Sequence, residues 1–254
     1  RALEEELRRE GFVLSSANSI NWGRLAPQIV YYISAYCDLL AAGRIGAGEP
    51  VNFCVPTGNF GNILAGYYAK GMGLPVKMLL CASNRNNVLT DFIRTGRYDR
   101  NRRFYATTSP SMDILISSNL ERLLYLLTGR SDRETREKME ALGRTGVYQL
   151  DERELSALQR EFYGACCDDA GAADTIRRVF ERYSYLCDPH TAVAVNAWEQ
   201  YRAATGDRTK TVILSTASPY KFADTVLEAL GEDCPEDDFQ RLRRLEEVSG
   251  MPAP

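Results

Sequence analysis

Three short segments combine small residues, hydroxyls and backbone freedom in the way that anion binding requires. Thr57-Gly58-Asn59-Phe60-Gly61-Asn62 follows a compact apolar run at residues 51–55 and precedes residues at helical spacing from about Ile63. Glycine lets a backbone approach a ligand closely. A helix start adds free N–H groups and the positive end of its dipole, so the segment reads as a phosphate cradle. It has neither the Lys-Ser/Thr ending of a nucleotide P-loop nor the G-x-G-x-x-G spacing of a dinucleotide site, and a plain strand-to-helix connection has the same look. Ser16-Ala17-Asn18-Ser19-Ile20-Asn21-Trp22-Gly23-Arg24 opens a second expected helix. Its donors and single arginine suit another anion, although Ser and Asn are also natural helix caps. Ser215-Thr216-Ala217-Ser218 ends the last apolar run. It is either a set of hydroxyls at the carboxyl end of a parallel strand, where open α/β sheets bind ligands, or a polar turn.

These segments need elements to position them. Residues 3–9 read as the end of an amphipathic helix closed by Gly11, and residues 12–14 as a short strand. Residues 26–42 carry helical spacing, residues 51–55 and 76–82 are buried strands, and residues 63–70 and 88–94 are helices. Strand–loop–helix–strand alternation with fully apolar strands predicts an α/β fold with a parallel sheet covered on both faces. Residues 118–199 read as helical, with dense charge on solvated faces. Residues 211–214 are a last strand, residues 221–230 a last helix ending at Gly231, and residues 246–254 a loose tail. Trp22, Tyr31 and Tyr32 read as core.

The 254 residues carry 44% apolar and 26% charged side chains and a net charge of −3, enough for a real core and no field to hold nucleic acid or an anionic membrane. No run reaches the roughly 18 apolar residues of a membrane span. The seven cysteines (37, 54, 81, 166, 167, 187 and 234) include no C-x-x-C pair, and the single histidine, His190, speaks against zinc. A protein of the cytoplasm with reduced thiols is the expectation.

Taken together the segments are far more specific. Asn18-Ser19-Ile20-Asn21-Trp22-x-Arg24, Val55-Pro56-Thr57-Gly58-Asn59-Phe60-Gly61-Asn62, Asp188-Pro189-His190-Thr191-Ala192-Val193-Ala194 and Ser215-Thr216-Ala217-Ser218-Pro219-x-Lys221-Phe222 occur in this order in threonine synthase. Ala82-Ser83-Asn84-x-Asn86, Ser109-Pro110-Ser111-Met112-Asp113-Ile114 and Ser118-Asn119-x-Glu121-Arg122 add to the match. The chain resembles the bacterial and fungal form of that family from about residue 15 to residue 231.

The resemblance implies a fold-type II (tryptophan synthase β-like) three-layer parallel sheet, incomplete and carrying a helical insertion at about residues 115–200. It implies pyridoxal 5'-phosphate as cofactor and conversion of O-phospho-L-homoserine and water to L-threonine and inorganic phosphate, the last step of threonine biosynthesis. By position, Gly58, Asn59, Phe60, Gly61 and Asn62 would hold the cofactor phosphate, Thr216 the pyridine nitrogen, and Asn18, Ser19 and Arg24 the substrate phosphate. Ser111 and Asp113 would line the substrate pocket. His190, as the single histidine, invites a catalytic role, and the plainer reading is a helix-start residue that packs under the cofactor loop. The family's Schiff-base lysine lies in its N-terminal third. None of Lys70, Lys77, Lys138, Lys210 and Lys221 has that setting, although Lys221 lies close to Thr216 in sequence. The chain therefore reads as a C-terminal fragment without a catalytic lysine, inactive alone. Residues 1–20 would end the small domain, and residues 21–254 would be a partial large domain whose open sheet edge invites a homodimer. Two rivals stand beside this: a threonine-synthase-like phospholyase, and a non-catalytic protein that binds phosphate or the cofactor.

Overall fold

Short runs of apolar residues form the centre of the molecule, and their alternation decides which helices lie on which face. The computed structural model describes residues 2–13 and 19–253. Its elements follow as α1 (Ala2–Arg9), α2 (Trp22–Leu25), α3 (Ile29–Ala41), β1 (Val51–Pro56), α4 (Gly61–Gly71), β2 (Val76–Ser83), α5 (Val88–Thr95), β3 (Arg97–Asp99), α6 (Leu120–Leu127), α7 (Asp132–Thr145), β4 (Val147–Gln149), α8 (Glu152–Glu161), β5 (Phe162–Cys166), α9 (Asp169–Tyr183), α10 (Pro189–Thr205), β6 (Thr211–Ile213), α11 (Ala223–Leu230) and α12 (Asp238–Ser249). Among the described residues one all-parallel sheet runs in the order β5-β2-β1-β6, and β3 pairs antiparallel with β4 apart from it.

Successive side chains along β1 and β2 point to opposite faces. Phe53, Val55, Leu79 and Cys81 join Tyr32 of α3 and Ile63 and Leu64 of α4 in one apolar cluster. Cys54, Leu80 and Ala82 join Ile176 of α9, Val193 of α10 and Leu227 of α11 in another. Three layers result, as expected for an all-parallel sheet of apolar strands. Complete burial of a side chain such as Phe53 or Leu79 is worth about 1.5–3 kcal/mol, so the two clusters hold the strands rigidly. Because the strands are parallel, the loops leaving β1, β2, β5 and β6 all emerge at one edge, where ligands bind in such sheets.

Several local expectations change. Phe12 and Val13 belong to no strand and are exposed, and Leu14 lies outside the described residues. Pro27 starts a 3-10 turn at Ala26–Gln28, so the expected single helix begins as a tighter turn before α3. The stretch read as helical contains β5, which pairs with β2 in the main sheet, and β4. The tail is ordered through α12: Leu245 is fully buried, and the Tyr220 hydroxyl bonds the Met251 carbonyl. Trp22 and Tyr31 are exposed and only Tyr32 of the three is core, because α3 turns its Tyr31 side away from the sheet.

One contact ties the core to the loop after β1. Gly66 in α4 leaves room for the Tyr32 ring: a Cβ there would lie 2.5 Å from Cε1 and 2.8 Å from Cζ. With that room, the Tyr32 hydroxyl sits 2.8 Å from the Asn62 carbonyl and 2.9 Å from Asn62 Oδ1. Gly66→Ala should therefore cost about 1–3 kcal/mol, whereas Gly71→Ala, with open space around its Cβ, should be neutral or stabilising by up to about 1 kcal/mol. Urea unfolding of the two variants measures the contrast.

Candidate active site

The first turn of α4 is left without caps. Phe60 occupies the N-cap position at φ 62, in the left-handed region, with no side-chain cap. By contrast Ser131, Asp151, Asp168, Asp188 and Asp237 each accept a backbone N–H of the helix they precede. Among the described residues no backbone N–H from Gly58 to Asn62 has a hydrogen-bond partner. Five successive donors thus point at no protein acceptor, beside the positive end of a helix. A left-handed Phe costs about 1–2 kcal/mol. The ring offsets this by full burial 5.5 Å from Phe162. Gly58 is glycine for closeness: a Cβ would meet the Ser111 carbonyl oxygen at 2.6 Å.

This cradle forms one wall of a cleft of about 300 Å³ at the carboxyl edge of the sheet. Ser19, Arg24 and Gln28 line a second wall, and Thr216, Ala217 and Lys221 a third. Ser111 and His190 complete it. The cleft therefore gathers Gly58, Asn59, Phe60, Gly61, Asn62, Thr216, Ser19 and Arg24, while Asn18 lies outside the described residues. Thr216 is exposed at the end of β6, and its hydroxyl has no protein partner among the described residues. A larger groove of about 980 Å³ runs between α6 and α7 past Tyr68. Among the described residues no glycine lines it, whereas Gly58 and Gly61 line the smaller cleft.

Asp188 and His190 buttress the cleft from beneath. Asp188 Oδ1 lies 2.9 Å from both the His190 backbone nitrogen and Nδ1, and Thr191 Oγ1 donates to Oδ2. His190 Nε2 accepts the Ser111 N–H at 3.2 Å, so the ring carries its hydrogen on Nδ1. Burial opposes the charge on Asp188, but the hydrogen bonds from His190 and Thr191 outweigh it and hold the carboxyl below its ordinary value.

Asp113 does not line the cleft. Its carboxylate accepts Asn84 Nδ2 at 2.7 Å, Asn86 Nδ2 at 2.9 Å, and both the N–H (2.9 Å) and hydroxyl (2.7 Å) of Thr107. That network pins the 105–113 loop onto the end of β2, which leaves the neighbouring Ser111 at the cleft. Among the lysines, Lys70 pairs with Glu161, Lys77 with Asp207 and Lys138 with Glu154, and Lys221 alone of the five lines the cleft. Reading single motifs missed the role of Asn119, whose side chain reaches both the cradle and the Ser19 wall. The only signal was its place in Ser118-Asn119-x-Glu121-Arg122.

A three-layer parallel sheet with such a cradle at its carboxyl edge is the fold of fold-type II pyridoxal-phosphate enzymes. The structure superposes on pyridoxal-phosphate-bound threonine synthase from Brucella melitensis with TM-score 0.81 at 38% identity, covering 98% of this chain and 56% of that one. Threonine synthase from yeast gives TM-score 0.79 at 34% identity, covering 94% of this chain and 50% of that one. The profile "Threonine synthase, C-terminal" matches residues 191–252. Among curated proteins, human "Threonine synthase-like 1" is 46% identical over 87% of this chain and 29% of its own length. "Threonine synthase" of Pseudomonas aeruginosa is 40% identical over 87% of this chain and 45% of its own length. The chain belongs to the threonine synthase family and spans half or less of the length of these curated relatives.

Asp188→Ala removes the α10 cap and strands two buried donors, a loss of about 2–4 kcal/mol. A carboxyl depressed in the folded state stabilises fully above the unfolded value of about 3.9, and this contribution fades as pH falls through the folded value. The stability gap between parent and variant, measured by urea unfolding, should be constant from about pH 5 to 7 and narrow below about pH 4.

Proposed function

We propose that this chain supplies the phosphate-binding walls of a pyridoxal-phosphate-dependent lyase that converts O-phospho-L-homoserine and water to L-threonine and phosphate in the cytoplasm. The observation that carries the reading is the convergence of two anion-suited walls on one cleft, because the reaction requires two phosphates to be held at once. The site fits the cofactor: five unpartnered amides suit its phosphate, and the Thr216 hydroxyl at the far wall suits its ring nitrogen. When bound, pyridoxal phosphate supplies an electron sink for removing protons beside the amino-bearing carbon.

The chain's own residues do the holding. The amides of Gly58 to Asn62 fix the cofactor phosphate and with it the orientation of the ring. Asn18, Ser19 and Arg24 hold the substrate phosphate and stabilise its charge as it leaves. Lys221 adds a cation at the cleft. No catalytic lysine is assigned to this chain, and the covalent anchor is placed in the part of the family's length that the chain does not span. Residues 1–20 are assigned to a small domain and residues 21–254 to the large one. The exposed Val30 and Tyr31 of α3 give a face for a second copy.

A second reading has one observation in its favour: identity is higher to the relative named "Threonine synthase-like 1" than to the enzyme named threonine synthase, 46% against 40%. It is a phospholyase that releases phosphate from a related amino alcohol phosphate, leaving a keto compound and ammonia. Product analysis on the whole gene product separates the two. Loaded with pyridoxal phosphate and given O-phospho-L-homoserine, it should release phosphate and threonine in equal amounts. Keto acid and ammonia in place of threonine would favour the second reading, and no phosphate release would contradict both. Arg24→Ala should lower kcat/KM by about 10- to 100-fold, the worth of a charged hydrogen bond.

A further inference from the structure

Asn119 sits at the N-cap of α6, where an asparagine ordinarily accepts a backbone N–H of the first turn. Here its side chain makes no cap bond. Its Nδ2 donates to the Ser19 carbonyl at 3.0 Å and to the Asn59 carbonyl at 2.9 Å, and its own backbone N–H donates to the Asn59 carbonyl at 3.1 Å. Its Oδ1 accepts from Arg122, whose Nη2 donates to the Ile20 carbonyl at 2.6 Å. Asn119 is fully buried, and both amide hydrogens and the amide oxygen are engaged.

Its neighbours bridge the same two walls. Ser117 Oγ donates to the Gly58 carbonyl at 2.9 Å. Ser118 Oγ lies 3.3 Å from both Asn59 Oδ1 and Ser19 Oγ. Gly61 completes the fit, because a Cβ there would come within 3.3 Å of Asn119 Nδ2. A residue that gives up a local cap of about 1 kcal/mol to join two loops departs from what its helix alone would select, and such departures mark functional positions.

We propose that Asn119, backed by Arg122, is a positioning residue that sets the spacing between the two phosphate walls, so that neither holds its phosphate well unless the strap is intact. It touches no phosphate itself. It holds the carbonyl of Asn59, which leaves the cradle amides pointing into the cleft, and the carbonyl of Ser19, which keeps that hydroxyl on the opposite wall. The proposal rests on the two-phosphate reading of the cleft.

The test uses the whole gene product and Asn119→Ser, since serine caps a helix as well as asparagine does but cannot reach both carbonyls. Two constants are measured: the Kd for pyridoxal phosphate by absorbance titration, and the Kd for inorganic phosphate on the loaded protein by calorimetry. Both should rise about tenfold, the worth of one or two hydrogen bonds, while the melting temperature without ligand falls by only about 4–8 °C, which leaves the protein folded at the temperature of measurement. Arg122→Lys, which keeps the charge but cannot serve both Asn119 and Ile20, should move both constants the same way by a smaller factor, and it decides the matter if Asn119→Ser does not fold. With O-phospho-L-homoserine the loss should appear in KM more than in kcat. Unchanged constants, or a change in only one of them, would overturn the proposal. If the parent forms no threonine, the synthase reading fails, and the two dissociation constants still decide the role of Asn119.

Discussion

The uncapped first turn of α4 is the constraint on which the rest of the structure depends. Five backbone N–H groups in a row, from Gly58 to Asn62, have no acceptor in the protein among the described residues. Ser131, Asp151, Asp168, Asp188 and Asp237 cap the helices they precede, whereas the cradle before α4 turns its run of donors toward the cleft. The conformation is enforced from several sides. Phe60 is locked left-handed by its buried ring, Gly58 lies flat against Ser111, and Tyr32 grips Asn62 from the core. Such over-determination is what keeps a strained loop in place, and the strain marks a site that a ligand completes.

The fold converts this local feature into a site by bringing loops of distant sequence to one edge. Parallel pairing of β1 with β6 sets Thr216 opposite the cradle, and pairing of β1 with β2 carries the 105–113 loop over it through the Asp113 network. Asp188 and His190, at the start of α10, support Ser111 from below. These contacts hold the walls within the protein itself, which is how binding energy is kept for the ligand rather than spent on ordering the protein.

Much of this was legible in the sequence because the signals were local. Apolar runs at 51–55 and 76–82, glycines before a helical repeat, and hydroxyls after a last apolar run each reflect a constraint confined to a few neighbours. β5 was not legible: Phe162-Tyr163-Gly164-Ala165-Cys166 is a five-residue run between two charged amphipathic helices, and only its pairing with β2 makes it a strand. Nor was the division of labour between Asp113 and Ser111, two residues apart, since it depends on Asn84 and Asn86 arriving from β2. Asn119 shows the same limit. Its type and position predict a helix cap, and its contacts lie about a hundred residues away at Ser19 and sixty away at Asn59.

On the proposed reading the amides of Gly58 to Asn62 receive a phosphate. A crystal structure of the whole gene product grown with pyridoxal phosphate tests it most directly. Phosphate oxygens should lie about 2.7–3.2 Å from several of those five nitrogens, with the ring directed toward Thr216. A phosphate bound elsewhere, with the five amides still facing only solvent, would contradict it.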